Sequence, residues 1–247
     1  MVRSIDAGTR KRAVLAATIN RYIKNAAPVS SEDISRDFGV SSATIRNIFA
    51  DLEKEGCLTH PYTSAGRIPT NKGFRLYVDF MISQMELLDY EREQVLREYQ
   101  TEIKHLEDAL EKTSEIISSV THYAGIVSFL DWHNKFFYRG ISRILEQPEF
   151  RDVEKMRLLI KMIEDKKDFL EIVNQDFEDK VKIYIGEELG CPGMESCSLV
   201  VSNYRLKNKP SGKLAVLGPV RMEYAHIIPA LEYVSEVLTD VLNGLED

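Results

Sequence analysis

The stretch SSATIRNIFADLEKEG, residues 41–56, determines how the N-terminal third of this chain folds. Its apolar residues recur every three or four positions, which predicts a helix with one buried face. That face consists of Ile45, Ile48, Phe49 and Leu52. Ser41 or Ser42 supplies the N-cap, and Gly56 ends the helix. The stretch therefore predicts one amphipathic helix that begins with small polar side chains.

A shorter helix is predicted immediately before this stretch, in SSEDISRDFG, residues 30–39. Ser30 or Ser31 caps it, acidic residues occupy its first turn, and Gly39 provides a stop. Two helices joined by a tight glycine-containing turn, the second beginning with small polar side chains, form a helix-turn-helix pattern.

The flanking segments extend this pattern to a winged helix. Residues 9–25 predict an amphipathic helix in front of it, and CLTH after Gly56 is compatible with a strand. The string HPYTSAGRIPT, residues 60–70, has a proline near each end and a Gly66 that can adopt positive φ, which predicts a small edge hairpin. Thr70 can cap the helix that follows. We expect residues 60–67 to form the wing; a plain surface turn is the alternative.

Three groups of side chains in this region suit contacts with DNA. Arginine bridges two acceptors on guanine and asparagine pairs with adenine, whereas serine and threonine suit phosphate oxygens. The candidates on the second helix of the pattern are Ser41, Ser42, Thr44, Arg46 and Asn47. The candidates on the wing are His60, Tyr62, Thr63, Ser64 and Arg67, and those for the DNA backbone are Thr70, Lys72 and Arg75. The alternative interpretation is a set of helix caps and solvated charges.

Charge is distributed unevenly along the chain, whose net charge is −7. Residues 1–80 carry twelve Lys or Arg against eight Asp or Glu, whereas residues 81–247 carry twenty against thirty-one. A mildly basic N-terminal module on an acidic body predicts that only the module meets phosphate.

The sequence lacks the signatures of several classes of protein. No apolar run approaches the roughly 18 residues of a membrane helix, and the first residues lack the apolar region of a secretory signal, so we expect a cytoplasmic protein. The three cysteines have no spacing typical of a disulfide framework or a metal site. The nucleotide-binding, metalloprotease and hydrolase motifs are absent, so we expect no enzymatic activity and no cofactor.

The remaining chain predicts a long helix followed by an α+β domain. Apolar residues keep a heptad spacing from Leu96 to Val120, which predicts a connecting helix packed either on its own domain or against a second chain. Further patterns predict a helix at 153–173, strands at 181–186, 197–204 and 213–220, a hairpin loop at 207–213, and a closing helix at 222–245. The predicted divisions are residues 1–80, 81–125 and 126–247: a winged helix, a helical connector that is a candidate dimerisation helix, and an α+β domain.

Residues 27–79 resemble the DNA-binding module of the HrcA family of heat-inducible transcription repressors. The runs SSATIRN, TSAGRIPT and GFRLYVD carry the resemblance. The runs VKIYIGEE, SLVVSNYR and GKLAVLGPVRMEYAHIIPAL extend it to the C-terminal region. The resemblance implies an α+β fold with an N-terminal winged helix-turn-helix, a long connecting helix and a C-terminal GAF-like α+β domain.

The resemblance also implies repression of heat-shock and chaperonin operons through an inverted-repeat operator in double-stranded DNA. The binding species would be a homodimer, and the chaperonin GroEL would be a partner. One departure is that family members carry some tens of residues more where this chain has only SFLDWHNKFFY, residues 128–138. We therefore expect a reduced GAF-like domain. The alternatives are a small-molecule-sensing regulator that uses this domain, and a winged helix that contacts protein or RNA.

Overall fold

A computed structural model describes most of the chain: residues 7–62, 66–82, 85–99, 103, 105–130, 136–175, 177–206 and 209–245. The chain is a mixed α+β protein, as its sequence predicts, and it divides into two compact units, Met1–Ser83 and Gln84–Asp247. Among the described residues, no helix combines the length and apolar character that a bilayer crossing requires.

The described residues of the N-terminal unit form four helices and one small antiparallel sheet. In chain order they are α1 (Ala7–Asn25), α2 (Ser31–Phe38), α3 (Ser42–Lys54), β1 (Leu58–Thr59), β2 (Ile68–Pro69) and α4 (Asn71–Met81). Apolar residues of the four helices bury one another in a common core that includes Val14, Ile19, Ile34, Ile45, Phe49 and Phe74. The Tyr77 hydroxyl at the edge of this core donates to Asn20 Oδ1 over 2.7 Å, which joins α4 to α1.

The helix boundaries of this unit follow from capping residues that the sequence predicts. Ser30 Oγ accepts from the Asp33 amide, and Ser41 Oγ accepts from the Thr44 amide, each over 3.1 Å. Gly39 ends α2 in the left-handed conformation, with φ of 61°. These bonds occupy backbone groups that a helix end leaves without a partner, so they fix where α2 ends and α3 begins.

The heptad segment is where the structure departs most from the sequence prediction. It forms two helices, α5 (Asp89–Tyr99) and α6 (Leu106–Thr121), rather than one long helix. The Tyr99 hydroxyl lies 2.6 Å from Thr113 Oγ1, and Lys112 Nζ donates to Glu98 over 2.9 Å, so the two helices pack against each other. Leu110 and Ile117 are buried inside the same unit. An apolar repeat shows which face of a helix is buried, but it does not show where the helix is interrupted.

A five-stranded antiparallel sheet with the order β4-β3-β7-β6-β5 organises the C-terminal unit. Its strands are β3 (Ala124–Phe129), β4 (Phe136–Arg139), β5 (Val181–Ile185), β6 (Cys197–Leu206) and β7 (Lys209–Pro219). The sequence predicts β5, β6 and β7 but misses β3 and β4. The predicted loop at 207–213 is too long, because β7 already pairs with β6 at Lys209.

Both faces of this sheet are covered by helices. α6 and α10 (Tyr224–Gly244) pack on one face. The other face carries α7 (Ile141–Leu145), α8 (Val153–Glu164) and α9 (Lys166–Val173). The sequence predicts one helix over 153–173, whereas the structure has α8 and α9, which meet at Asp165. The Tyr224 hydroxyl lies 2.7 Å from both Ser198 Oγ and the Val220 carbonyl oxygen, which fixes the start of α10 on β6.

Candidate nucleic-acid interface

The first turn and a half of α3 presents the polar side chains singled out in the sequence. Ser41, Arg46 and Asn47 are exposed, whereas Ser42 and Thr44 are half-buried. The hydroxyl oxygens of Ser41 and Thr44 lie 2.9 Å apart. Ile45 and Phe49 point into the core and fix the rotation of the helix about its axis. The polar side of α3 is therefore held outward by its apolar side.

Two hydroxyl groups lie within hydrogen-bond distance of the Arg46 guanidinium. Its Nε donates to Ser31 Oγ over 3.3 Å, and its Nη2 lies 3.5 Å from Ser42 Oγ. Ser31 is the first residue of α2, so the guanidinium bridges the two helices of the pair. Ser31 is not among the residues that the sequence predicts for this site; the repeated Ser-Ser pair at the start of both helices is its one sequence signal.

The hairpin after α3 is anchored by backbone contacts. β1 and β2 pair over two positions, and the Arg67 backbone exchanges two hydrogen bonds with Val29, of 2.8 and 2.9 Å. A Cβ on Gly66 would lie 2.4 Å from the Val29 carbonyl oxygen. Gly66 does not adopt the positive φ that its sequence permits; the glycine is required by this close approach to Val29 and not by its backbone torsion.

The side chains of the hairpin divide into a paired group and an exposed one. Arg67 binds Glu53 of α3, with Nε and Nη2 at 3.2 and 3.0 Å from Oε2. His60 Nδ1 forms a hydrogen bond with the other oxygen of the same carboxylate, Oε1. Tyr62 is 64% exposed. Thr63 and Ser64 lie outside the described residues, so the structure does not place those two candidates.

The three backbone-contact candidates already serve the local structure. The Thr70 hydroxyl accepts from the Gly73 amide and donates to the Gly56 carbonyl, so it caps α4 and joins it to the end of α3. Lys72 Nζ donates to the Glu55 carbonyl over 2.7 Å, while its side chain remains exposed. Arg75 Nη1 lies 3.4 Å from Asp79 one turn further along α4. Thr70 and Lys72 therefore hold the end of α3 and the start of α4, whereas Arg75 pairs within α4.

The C-terminal unit contains a polar cavity of about 580 Å³, lined by the last residues of β6 and by Lys213 of β7. Lys213 is buried on its wall, with Nζ 2.5 Å from Asn203 Oδ1 and 4.3 Å from the centre of the Phe177 ring. Burial raises the pKa of Glu232, which lines the same cavity. Among the described residues, no group of His, Cys, Asp or Glu is arranged to hold a metal ion.

Proteins of known name are similar in sequence to this chain over most of its length. The sequence profile described as HrcA protein C terminal domain matches residues 130–228. The heat-inducible transcription repressor HrcA of Pelotomaculum thermopropionicum is 27% identical over 337 residues, covering 96% of this chain and 97% of the relative. The repressor of the same name from Carboxydothermus hydrogenoformans is 28% identical over 335 residues, covering 95% and 98%.

A solved structure supports the fold independently of these names. The crystal structure of a hypothetical protein superimposes with a TM-score of 0.80, at 19% identity, over 96% of this chain and 98% of that one. The relatives are longer than this chain, because the alignment extends over 337 residues whereas this chain has 247. The similarity spans most of both chains, and this chain is shorter than these relatives. Its sequence is thus similar, at 27–28% identity, to those of heat-inducible transcription repressors named HrcA.

Proposed function

We propose that this chain represses heat-shock genes by binding an inverted-repeat operator in double-stranded DNA with its N-terminal unit, which acts as a winged helix-turn-helix. The observation that carries the proposal is the start of α3, where exposed Arg46 and Asn47 project from a helix held by α2. In a helix-turn-helix protein the second helix enters the major groove, and residues near its N-terminus contact base edges.

Each group of side chains has a distinct role in this proposal. Arg46 binds guanine and Asn47 binds adenine, because these side chains match the acceptor and donor pattern of those bases. The hydroxyls of Ser41, Ser42 and Thr44 contact phosphate. The hairpin is the wing and adds a second contact through His60, Tyr62, Thr63, Ser64 and Arg67. Thr70, Lys72 and Arg75 lie along the DNA backbone and set the register of the protein on the duplex.

We further propose that the repressor acts as a homodimer in the cytoplasm and blocks transcription sterically, without catalysing a reaction. A two-fold dimer places its two α3 helices about 34 Å apart or a multiple of this distance, which matches an inverted repeat. The C-terminal unit is the GAF-like domain in this proposal, and GroEL is a candidate partner. A dimer mass in multi-angle light scattering is expected; a monomer at micromolar concentration would contradict the dimeric mechanism.

A selection experiment tests DNA recognition directly. The purified full-length chain is incubated with a library of random duplexes, bound duplexes are sequenced after several rounds, and an inverted repeat is expected to emerge. An Arg46→Ala and Asn47→Ala double variant is the control, and it should enrich the repeat weakly. No enriched repeat with the unmodified chain would refute the proposal, and preferential recovery of RNA in a parallel arm would favour the RNA-binding alternative.

A further inference from the structure

One carboxylate on α3 holds two positively charged or protonatable side chains of the hairpin. Glu53 Oε2 binds Arg67 through Nε and Nη2, at 3.2 and 3.0 Å, and Oε1 binds His60 Nδ1. The exposed fractions of the three side chains are 28% for Glu53, 24% for Arg67 and 37% for His60. The cluster therefore lies at the surface, between the helix proposed to read bases and the proposed wing.

The Glu53 carboxylate matters for the position of the hairpin because the two strands of the hairpin pair over a short length. β1 and β2 pair only as Leu58 with Pro69 and Thr59 with Ile68, and a proline has no amide to donate. A ladder of two positions is marginal by itself. The Glu53 carboxylate adds a contact from α3 to the end of β1 through His60 and to the start of β2 through Arg67.

The other acidic residues near the end of α3 have different partners. Asp51 lies 3.8 Å from Lys54 on the same helix, and Glu55 lies 2.5 Å from Lys11 on α1. Among the ion pairs described for the N-terminal unit, it is Glu53 that joins α3 to the hairpin. A negative charge at this point also repels phosphate, which any DNA-binding surface must approach.

We propose that Glu53 is a specificity-determining residue of the DNA-binding unit, an inference that rests on the proposed function. In the free protein its carboxylate neutralises Arg67 and holds His60, so the wing contributes little to sequence-independent attraction by phosphate. Binding to any duplex would require Arg67 to exchange part of this contact for a phosphate. Only the operator offers α3 the base contacts that compensate for the exchange, so the carboxylate favours the operator over other DNA.

The expected signature lies in the salt dependence of binding to non-operator DNA. Each phosphate that a protein cation neutralises adds about 0.9 to the slope of log K against log salt concentration. The conservative change Glu53→Gln removes the charge but keeps the shape of the side chain. It is expected to steepen the slope on a scrambled duplex by about 1, and to raise affinity for that duplex about three- to tenfold at low salt.

Three variants separate the effect of the contact from the effect of net charge. Glu55→Gln removes the same charge two residues away without touching the hairpin, and its slopes should stay near those of the unmodified chain. Glu53→Asp keeps the charge and should retain most of the discrimination. In an Arg67→Gln background, Glu53→Gln should no longer steepen the slope, because the cation it releases is absent.

The measurements use fluorescence anisotropy of the full-length chain with the selected repeat and with a scrambled duplex, over a range of salt concentrations. Circular dichroism establishes that each variant is folded. If Glu53→Gln does not fold, Glu53→Asp becomes the test, and a loss of its preference for the repeat over the scrambled duplex refutes the proposal. An unchanged slope in folded Glu53→Gln, while the unmodified chain still prefers the repeat, also refutes it. An unmodified chain without preference for the repeat refutes the proposed function instead.

Discussion

Arg46 on α3 donates from Nε to the hydroxyl oxygen of Ser31 at the start of α2, over 3.3 Å. This bond holds the planar guanidinium in place before any partner arrives. A pre-organised arginine loses less side-chain entropy when it binds than a freely rotating one does. Ser31 therefore supports Arg46 without itself having to touch a base.

The first prediction concerns Arg46 itself. Arg46→Ala is expected to weaken binding to the operator by about 1–3 kcal/mol, the range for a lost two-bond contact with guanine. Binding to a scrambled duplex should weaken less, and Ser31→Ala should have a smaller effect in the same direction. Anisotropy titrations measure all three, with Arg36→Ala on the exposed side of α2 as a matched control. Equal losses on both duplexes would mean that Arg46 binds phosphate instead.

The second prediction concerns the hairpin. Arg67→Ala is expected to lower operator affinity and to flatten the salt slope on the operator by about 1, because one phosphate contact is lost. On a scrambled duplex the change should be smaller, since Glu53 already neutralises the guanidinium there. Anisotropy at several salt concentrations gives both slopes. An unchanged operator slope would show that Arg67 serves only to hold the hairpin on α3.

The third prediction concerns the close approach of two backbone segments. Gly66→Ala is expected to destabilise the N-terminal unit by about 1–3 kcal/mol, because the added Cβ would lie 2.4 Å from the Val29 carbonyl oxygen. Urea unfolding followed by circular dichroism measures the loss. Gly244→Ala is the control, because a Cβ there meets no atom within 4 Å. Similar stability of the two variants would contradict the requirement for glycine at position 66.

The fourth prediction uses the buried thiol of Cys197. Burial raises its pKa to about 12, from about 8.5 in an unfolded chain. The folded state therefore favours the protonated thiol, whose stabilising contribution is complete below the unfolded pKa. The free energy of unfolding should decrease as pH rises from about 9 towards 12, by up to about 1.4 kcal/mol per pH unit from this group. Urea unfolding at alkaline pH should show a shallower decrease in Cys197→Ala; identical decreases would contradict the assignment.

Local signals made the N-terminal unit predictable from its sequence. Ser41 and Gly39 act on backbone atoms within a few residues of themselves, so the start of α3 and the end of α2 are encoded where they occur. The same holds for the cap at Thr70. The polar side of α3 follows from the spacing of its apolar residues, which one helix period determines.

The missed features depend on contacts between distant segments. β3 is buried at all six positions, so it lacks the alternation that identifies a half-exposed strand. The packing of α5 on α6 includes the contact between Tyr99 and Thr113, which lie fourteen residues apart in the sequence. Likewise, nothing near Glu53 in the sequence indicates that its carboxylate holds Arg67, because the hairpin that brings them together must form first.

The position of β4 at one edge of the sheet has a practical consequence for engineering this protein. Among the described residues, β4 pairs with β3 alone, and the connection between Phe129 and Phe136 lies in the interval where the family resemblance places the extra residues of longer members. A polypeptide inserted at this connection would leave the registers of β3 with β7, β7 with β6, and β6 with β5 intact. The interval between these two strands is therefore the place to attach a fluorescent reporter or an affinity tag within the chain.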